Sequence, residues 1–497
     1  MESLQLLMNG FAIALQPMNL LFALIGCVLG TLIGVLPGIG PSAGTAILIP
    51  VTFALNPTSA IIMLGAIYYG AMYGGTITSV LINCPGEAAS AVTCLDGYQM
   101  SRNGRAGAAL SVAAIGSFIG GSVAVAALVV VALPIANLAL RFGPPEFFAL
   151  MFIGLTMVTG LAGRSIVRAL LSAVIGLLIA MIGIDPVQGA PRFTFGITEL
   201  FGGLNIVPVV MGLFGISEIM INVESSALQV FKTQVSSLIP TREDVRRSIM
   251  PILRGTGIGF LLGLVPGIGS MVPTFMSYTV EKWASKTPEK FGTGMIEGVA
   301  GPETANNAYA NSAMIPLFAL GIPASPTLAI LMGALMMNGL LPGPLLFQDH
   351  SDFIWAVIAS FVIGNVMLLI LNLPLIPMWV AVLKIPYAIL FALILGFAVM
   401  GAYSVESSVF GVGVMLVFGL LGYIFKKLDI PLAPFALTLI LGSMMEKALR
   451  QSLEMSGGDL SIFYTRPLTA TMLVISVIIL IVNTANAFSK LKTDSET

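Results

Sequence analysis

Between Glu2 and Glu87 there is not one charged side chain, and the same is true between Arg105 and Arg141 and between Glu303 and Asp349. A helix needs roughly 20 apolar residues to cross the hydrocarbon core of a bilayer, and each of these gaps exceeds that length. Two of them have room for several spans or hairpins. Hydrophobic residues make up 57% of the 497 positions, and mean hydropathy is +1.00. Charged residues reach 9%, against roughly 25% in ordinary soluble domains. The chain reads as an integral membrane protein. Strand-like alternation is absent, which disfavours a barrel and leaves an all-α polytopic architecture.

The same composition removes other classes. With 22 Lys and Arg residues and a net charge of −1 there is no basic face for nucleic acid. A single histidine excludes most metal-site schemes. Cys27, Cys84 and Cys94 are odd in number and lie in or beside apolar segments, so free thiols are expected. Residues 1–18 lack a basic start and a small-residue cleavage pattern, which argues against a cleaved signal peptide.

A glycine run on a four-residue spacing, ending in Pro-Gly-Ile-Gly, occurs twice. The first copy is Gly26, Gly30, Gly34 and Pro37-Gly38-Ile39-Gly40; the second is Gly255, Gly259, Gly263 and Pro266-Gly267-Ile268-Gly269. The offset is 229 positions from first member (26 to 255) to last (40 to 269), and Thr45 and Thr274 keep the register. Two copies in register imply a duplicated unit. Each places a helix break inside an apolar stretch, where unpaired peptide groups are most costly unless they line a cavity. That combination points to transport.

Charge gaps and Gly/Pro punctuation divide the chain into 1–223, a polar linker over 224–254, a second core over 255–348 and scaffold helices over 349–497. About twelve crossings are expected, with re-entrant pieces between them. The loop Ser101-Arg102-Asn103-Gly104-Arg105 and the linker are basic, which assigns both to the cytoplasm. Gln348-Asp349-His350-Ser351-Asp352, at the corresponding place after the second unit, has no Lys or Arg. The two units are therefore expected to be inverted, with an external N-terminus.

Four segments carry candidate chemistry. At the Pro-Gly-Ile-Gly breaks, free carbonyls around Gly38, Gly267 and Gly269, with the hydroxyls of Thr45 and Thr274, offer an oxygen shell for sodium. Gly40, Pro41, Ser42 and Ser270, at the restarted helices, offer N–H groups and hydroxyls to a carboxylate. The spaced glycines themselves suit close helix packing. A second break follows in each unit, Asn83-Cys84-Pro85-Gly86-Glu87 and Gly321-Ile322-Pro323-Ala324-Ser325, with the shape of a re-entrant hairpin; a surface loop is the plainer alternative. Asn83, Pro85, Gly86 and Ser325 are its candidate substrate contacts. The stretch Gly301-Pro302-Glu303-Thr304-Ala305-Asn306-Asn307, with Asn311 one turn later, concentrates amides and a carboxylate on one element, although Glu303 could be only a favourable first-turn acid. Asn306 and Asn307 are assigned to substrate, Glu303 and Asn311 to the ion. Thr76 and Ser79 occupy the equivalent place in the first unit, where a hydroxyl often bonds only its own backbone. No Lys or Arg accompanies the breaks, so an anionic substrate there depends on co-bound cations. No nucleophile motif, zinc motif or phosphate loop is present, and an enzyme is not expected.

Gly34-Val35-Leu36-Pro37-Gly38-Ile39-Gly40-Pro41, Tyr73-Gly74-Gly75, Asn83-Cys84-Pro85-Gly86-Glu87, Asp96-Gly97-Tyr98 and Gly301-Pro302-Glu303-Thr304-Ala305-Asn306-Asn307-Ala308 resemble the large membrane subunit of tripartite tricarboxylate transporters. The resemblance covers nearly the whole chain. It departs at Cys84, where family members often carry other residues, so that thiol is given no role. The resemblance implies a bacterial inner-membrane secondary transporter working with a small four-helix membrane subunit and a periplasmic solute-binding protein. It also implies import of a di- or tricarboxylate, citrate-like, with sodium or protons and no other cofactor. A self-sufficient cation-coupled symporter is the alternative, followed by a passive channel.

Overall fold

The computed structural model describes residues 2–36, 39–160, 165–185, 189–224, 238–382 and 387–496. Gly38 and its neighbour Pro37 lie outside the described residues. The first unit comprises α1 (Glu2–Ala14), α2 (Pro17–Val35), α3 (Gly40–Leu48), α4 (Pro57–Ile82) and α5 (Thr93–Arg102). A long α6 (Ala106–Ala139) follows, then α7 (Pro144–Gly160), α8 (Ile166–Ala180), α9 (Ile206–Val210) and α10 (Ser217–Glu224). The second unit holds α11 (Arg242–Gly263), α12 (Met271–Ala284), α13 (Glu297–Ser312), α14 (Met314–Leu320), α15 (Pro326–Met337) and α16 (Pro344–Asp349). The remainder is α17 (Ser351–Asn372), α18 (Ile376–Val382), α19 (Tyr387–Glu406), α20 (Val409–Lys427), α21 (Leu432–Met455), α22 (Ile462–Thr465) and α23 (Pro467–Glu496).

Among the described residues the strand content is one antiparallel pair, Gly183–Ile184 with Pro191–Arg192, so the all-α expectation holds. Among the described residues seven helices are long and apolar enough, by length and composition, to cross a membrane, and seven shorter apolar helices accompany them.

The glycine spacing is a packing device in both units. A Cβ at Gly30 would sit 2.4 Å from the Ile67 carbonyl oxygen, and one at Gly34 would sit 2.3 Å from that of Ala71, so α2 lies backbone-close on α4. In the second unit a Cβ at Gly255 would meet the Gly301 carbonyl at 2.4 Å and one at Gly259 that of Ala305 at 2.3 Å, bringing α11 onto α13. Small-xxx-small stripes permit such approach because nothing but backbone stands between the helix axes.

Helices α3 and α12 fold back on α2 and α11, whereas a broken helix that continues would have kept its direction. Gly44 of α3 packs on Ile33 of α2 across the first reversal, and Arg254 of α11 pairs with Glu281 of α12 across the second, Nε to Oε1 at 2.8 Å. Positive φ at Gly40 (66°), Gly267 (77°) and Gly269 (73°) makes the turns, in the region glycine enters without a Cβ penalty. The second breaks are also left-handed: α4 closes at Asn83 with φ 55° and α14 at Gly321 with φ 71°.

Ion pairs gather in two zones. One joins Arg105 to Asp244 and Arg247 to Glu297, with the Asp96 carboxylate accepting from the backbone N–H groups of Gly292, Gly294 and Met295 at 2.7–2.9 Å. The other joins Arg192 to Glu446 at 2.7 Å and Arg450 to Asp185 at 3.0 Å. Helix α6 starts next to Arg105, and just beyond its end Leu140 lines the same cavity as Arg192 and Glu446. Its 34 residues at 1.5 Å each separate the zones by about 50 Å. The polar stretch read as a linker is helical in its second half, because Thr241 and Asp244 form a capping box that starts α11 at Arg242. Helix α17, placed with the scaffold in sequence, packs on α1, α2, α4 and α6 and lies inside the core.

Candidate functional site

The elements built from the breaks meet one another. Ser42, near the start of α3, shares a hydrogen bond of 2.8 Å with Thr327, near the start of α15. The Gly269 N–H, just before α12, donates to the Ala324 carbonyl at 3.3 Å, and the buried Tyr309 hydroxyl donates to the same carbonyl at 3.0 Å. Ser325 caps α15 by accepting from Leu328 N–H at 3.3 Å. Three helices, α3, α12 and α15, therefore begin in one neighbourhood. Helix N-termini are favourable positions for negative charge, and the Gly269 and Leu328 N–H groups here are paired within the protein, with the Ala324 carbonyl and the Ser325 hydroxyl.

Beside it lies a buried polar core on α13. Glu303, 1% exposed, accepts from the Thr76 hydroxyl at 2.5 Å and from the Thr93 hydroxyl. Asn306 donates to Glu87 at 2.5 Å, and Glu87 is itself buried. Asn307 donates to the Ser117 hydroxyl at 2.8 Å, and Asn311 donates to the Asn307 carbonyl at 2.9 Å. The side-chain oxygens of Asn306 and Asn307 are buried without a hydrogen-bond partner. Among the described residues no Lys or Arg pairs with Glu87 or Glu303. A close approach makes this possible: a Cβ at Gly75 would lie 2.8 Å from Cγ of Glu87, and one at Gly86 would lie 2.0 Å from the Gly34 carbonyl oxygen. The loop after α4 is thus pressed between α2 and α4, carrying its acid inward.

The residues singled out in sequence divide accordingly. Ser42, Gly269, Ser325, Thr76, Glu303, Asn306, Asn307 and Asn311 fall in these contacts. Thr45 is buried with its hydroxyl unpartnered, while Gly40, Pro41 and Ser270 are half-buried beside the turns and Gly267 is buried. Ser79 and Thr274 bond backbone carbonyls of their own helices, Gly75 at 2.9 Å and Met271 at 2.8 Å, the plainer alternative for such hydroxyls. Asn83 and Pro85 are exposed, at the rim of the loop whose inner residue is Gly86. The sequence reading missed Glu87, Thr93 and Ser117 as site residues. Glu87 had a signal, as the charge that ends an apolar run of more than eighty positions; Thr93 and Ser117 had none, because their partner is on a distant helix.

A much larger cavity lies elsewhere. It encloses about 1030 Å³ and is lined by Arg192, Asn205, Glu446, Lys447 and Gln451 on its polar side. Its apolar wall includes Leu320 of α14 and Gly333 of α15. No group of three or more potential metal-ligating acids, histidines or cysteines exists among the described residues.

Seven membrane-length helices, two glycine-packed reversals and a buried polar core without basic side chains define a polytopic membrane transport protein. The chain belongs to the tripartite tricarboxylate transporter TctA family, which it matches over residues 20–437. This is a family of transporters and not of enzymes, and its tripartite organisation implies partner subunits. The chain is 46% identical over 478 residues to an uncharacterized 52.8 kDa protein in the TAR-I ttuC' 3' region of Agrobacterium vitis, covering 96% of this chain and 95% of that one. It is 45% identical over 223 residues to an uncharacterized protein in the TAR-II ttuC' 3' region of the same organism, covering 45% of this chain and 92% of the relative. No solved structure matches it.

Proposed function

We propose that the protein is the large membrane subunit of a secondary active transporter that imports a di- or tricarboxylate across the bacterial inner membrane. The meeting of three helix starts supports the reading: Ser42 against Thr327 and Gly269 against Ala324 bring helix N-terminal ends together, and such ends favour negative charge. Glu87 and Glu303 bring two buried carboxyl groups into the same core, so in this reading an anionic substrate settles there when a cation or proton offsets their charge. That makes coupling a condition of binding.

The two units are inverted in this reading. The Ser59 hydroxyl of α4 donates to Asn19 of α2 at 2.6 Å, which starts both helices at one end. The equivalent pair, α11 and α13, starts beside the Arg247–Glu297 and Asp96 contacts, in the other zone. The 1030 Å³ cavity is then an external vestibule, lined in part by the α14–α15 hairpin, and alternating access consists of moving that hairpin and its counterpart. A periplasmic solute-binding protein delivers substrate to the vestibule face, and a small four-helix membrane subunit lies against the outer helices.

Uptake of labelled citrate and other di- and tricarboxylates into proteoliposomes containing this chain, the small subunit and the binding protein tests the reading, under an imposed sodium or proton gradient. Saturable, gradient-driven uptake that requires the binding protein is the expected result. Uptake by this chain alone would make it a self-sufficient symporter, and flux that neither saturates nor follows a gradient would make it a channel.

A further inference from the structure

Between α4, α6 and α17 there is a void of about 10 Å³, lined by Thr76 and Tyr73 of α4, Ser117 of α6 and Asn372 of α17, with aliphatic side chains around them. That is the volume of a single small occupant, since one water needs roughly 10–15 Å³ on this measure. Asn372 is 4% exposed, and its amide nitrogen donates to the Leu368 carbonyl at 3.1 Å and to the Thr31 hydroxyl at 3.4 Å. Those bonds fix the amide orientation and leave the Asn372 oxygen buried at the void without a partner. An orphaned carbonyl oxygen of this kind carries a desolvation cost that an electropositive occupant removes.

The neighbouring groups specify the charge of that occupant. Thr76 donates to Glu303, so its hydroxyl oxygen keeps lone pairs for the void while a carboxylate lies one hydrogen bond behind it. Ser117 donates to the Glu303 backbone carbonyl at 3.2 Å and accepts from Asn307, whose own side-chain oxygen is buried and unpartnered. The walls therefore offer hydroxyl and amide oxygens, no cationic side chain, and one adjacent negative charge. Hard oxygens with a single compensating carboxylate suit a monovalent hard cation better than a divalent one, which would bring one charge too many. We propose that this chamber is the coupling-cation site, holding one desolvated sodium ion on the oxygens of Thr76, Ser117 and Asn372, away from the Pro-Gly-Ile-Gly turns.

The placement gives a physical route for coupling. Occupation draws α17 and α6 toward Thr76, and through it acts on Glu303, whose helix α13 also carries Asn306 and its bond to Glu87. A cation there thereby offsets the charge beside the space where α3, α12 and α15 begin. The inference rests on the cation-coupled reading above, and names the ion's ligands within it.

Binding of radioactive sodium to the purified full-length protein in detergent, with choline and potassium as competitors, tests the assignment. Wild type is expected to bind sodium saturably, and Asn372→Leu and Ser117→Ala to weaken it by roughly tenfold or more, the scale seen when supporting ligands of a metal ion are removed. Ser360→Ala, on the same helix but bonded only to the Val357 carbonyl at 2.7 Å, should match wild type. Asn372→Asp retains an oxygen at the void and should retain sodium binding, which a merely structural role for the Asn372 amide would not permit. Unchanged affinity in both Asn372→Leu and Ser117→Ala overturns the site while leaving sodium coupling intact. Absence of sodium binding in wild type, with uptake driven by a proton gradient, overturns the sodium assignment and leaves the carboxylate reading standing.

Discussion

The two glycine-rich units share a backbone plan and differ in the side chains that plan presents. Asn83 and Gly321 close their helices in the same left-handed conformation, and Pro85 and Pro323 follow at the same remove. Two residues further on, the first unit has Glu87 and the second Ser325, one acid bonded to Asn306 and one hydroxyl capping α15. In the partner helices the inequality is reversed: Glu303 of α13 stands where α4, in matching register, has Gly65. The matching close contacts in both units leave no room for a Cβ, whereas the buried acids Glu87 and Glu303 sit at non-equivalent positions of the two units. In the proposed reading the acidic side would attend the cation and the side made of helix starts the anion.

The largest effect should fall on the shared feature. Gly34→Val and Gly259→Val both drive a side chain into a carbonyl oxygen that even a Cβ would reach at 2.3 Å. Overpacking of this kind costs about 1–3 kcal/mol or more, and neither neighbour is the end of a flexible side chain. Both variants should lose the monodisperse peak in size-exclusion chromatography of the detergent-solubilised protein. If one unit tolerated the change, the two would not be held by the same contact. Gly26 belongs to this class too, because its Cβ would lie 2.5 Å from the Met63 carbonyl oxygen. Gly40, by contrast, has open space where a Cβ would go and is constrained by its φ alone.

Next comes the exchange that makes the halves alike. Glu87→Ser installs the second unit's residue in the first, and strips Asn306 of its acceptor while its oxygen is already unpartnered. Leaving a buried amide unsatisfied costs about 1–3 kcal/mol, so gradient-driven uptake should fall by about tenfold or more in a protein that still inserts. Uptake at the wild-type rate would mean that the acid is dispensable and the asymmetry incidental. The reciprocal position should be milder: Ser325→Ala removes an N-cap and should cost about 1 kcal/mol in thermal stability, with uptake reduced less than in Glu87→Ser.

How far the sequence reached follows from the range of each interaction. The glycine stripes and the Gly301 to Asn311 cluster are local patterns, and the structure carries the first as close helix contacts and the second on one buried helix. Pairings between helices were not legible. Thr76 and Ser79 lie on one turn of α4 and look equivalent as letters, yet Thr76 points across to Glu303 while Ser79 turns back to the Gly75 carbonyl. Ser117 and Asn372 are single polar residues in long apolar helices, and only the packing of α4, α6 and α17 brings them together. Direction at the first breaks was also hidden, because Pro and Gly announce that a helix stops and do not say whether the next one continues or returns.

The smallest expected effect separates sequence expectation from structure most cleanly. Asn83 was placed next to the substrate because it opens the second break, and its counterpart Gly321 suggests a different reason for its presence. Both residues occupy the left-handed region, where asparagine and glycine are the residues accepted at least cost. Asn83 is exposed, and its side chain is not needed to make the turn. Asn83→Gly should therefore leave uptake unchanged and shift stability by only a few tenths of a kcal/mol, since it substitutes the residue the second unit already uses. Asn83→Val, which cannot adopt φ near 55° without strain, should cost roughly 1–2 kcal/mol by thermal unfolding while sparing the affinity for substrate. Loss of uptake in Asn83→Gly with stability intact would show that the amide contacts substrate when the loop moves inward, and the equivalence of Asn83 and Gly321 would then extend to backbone shape alone.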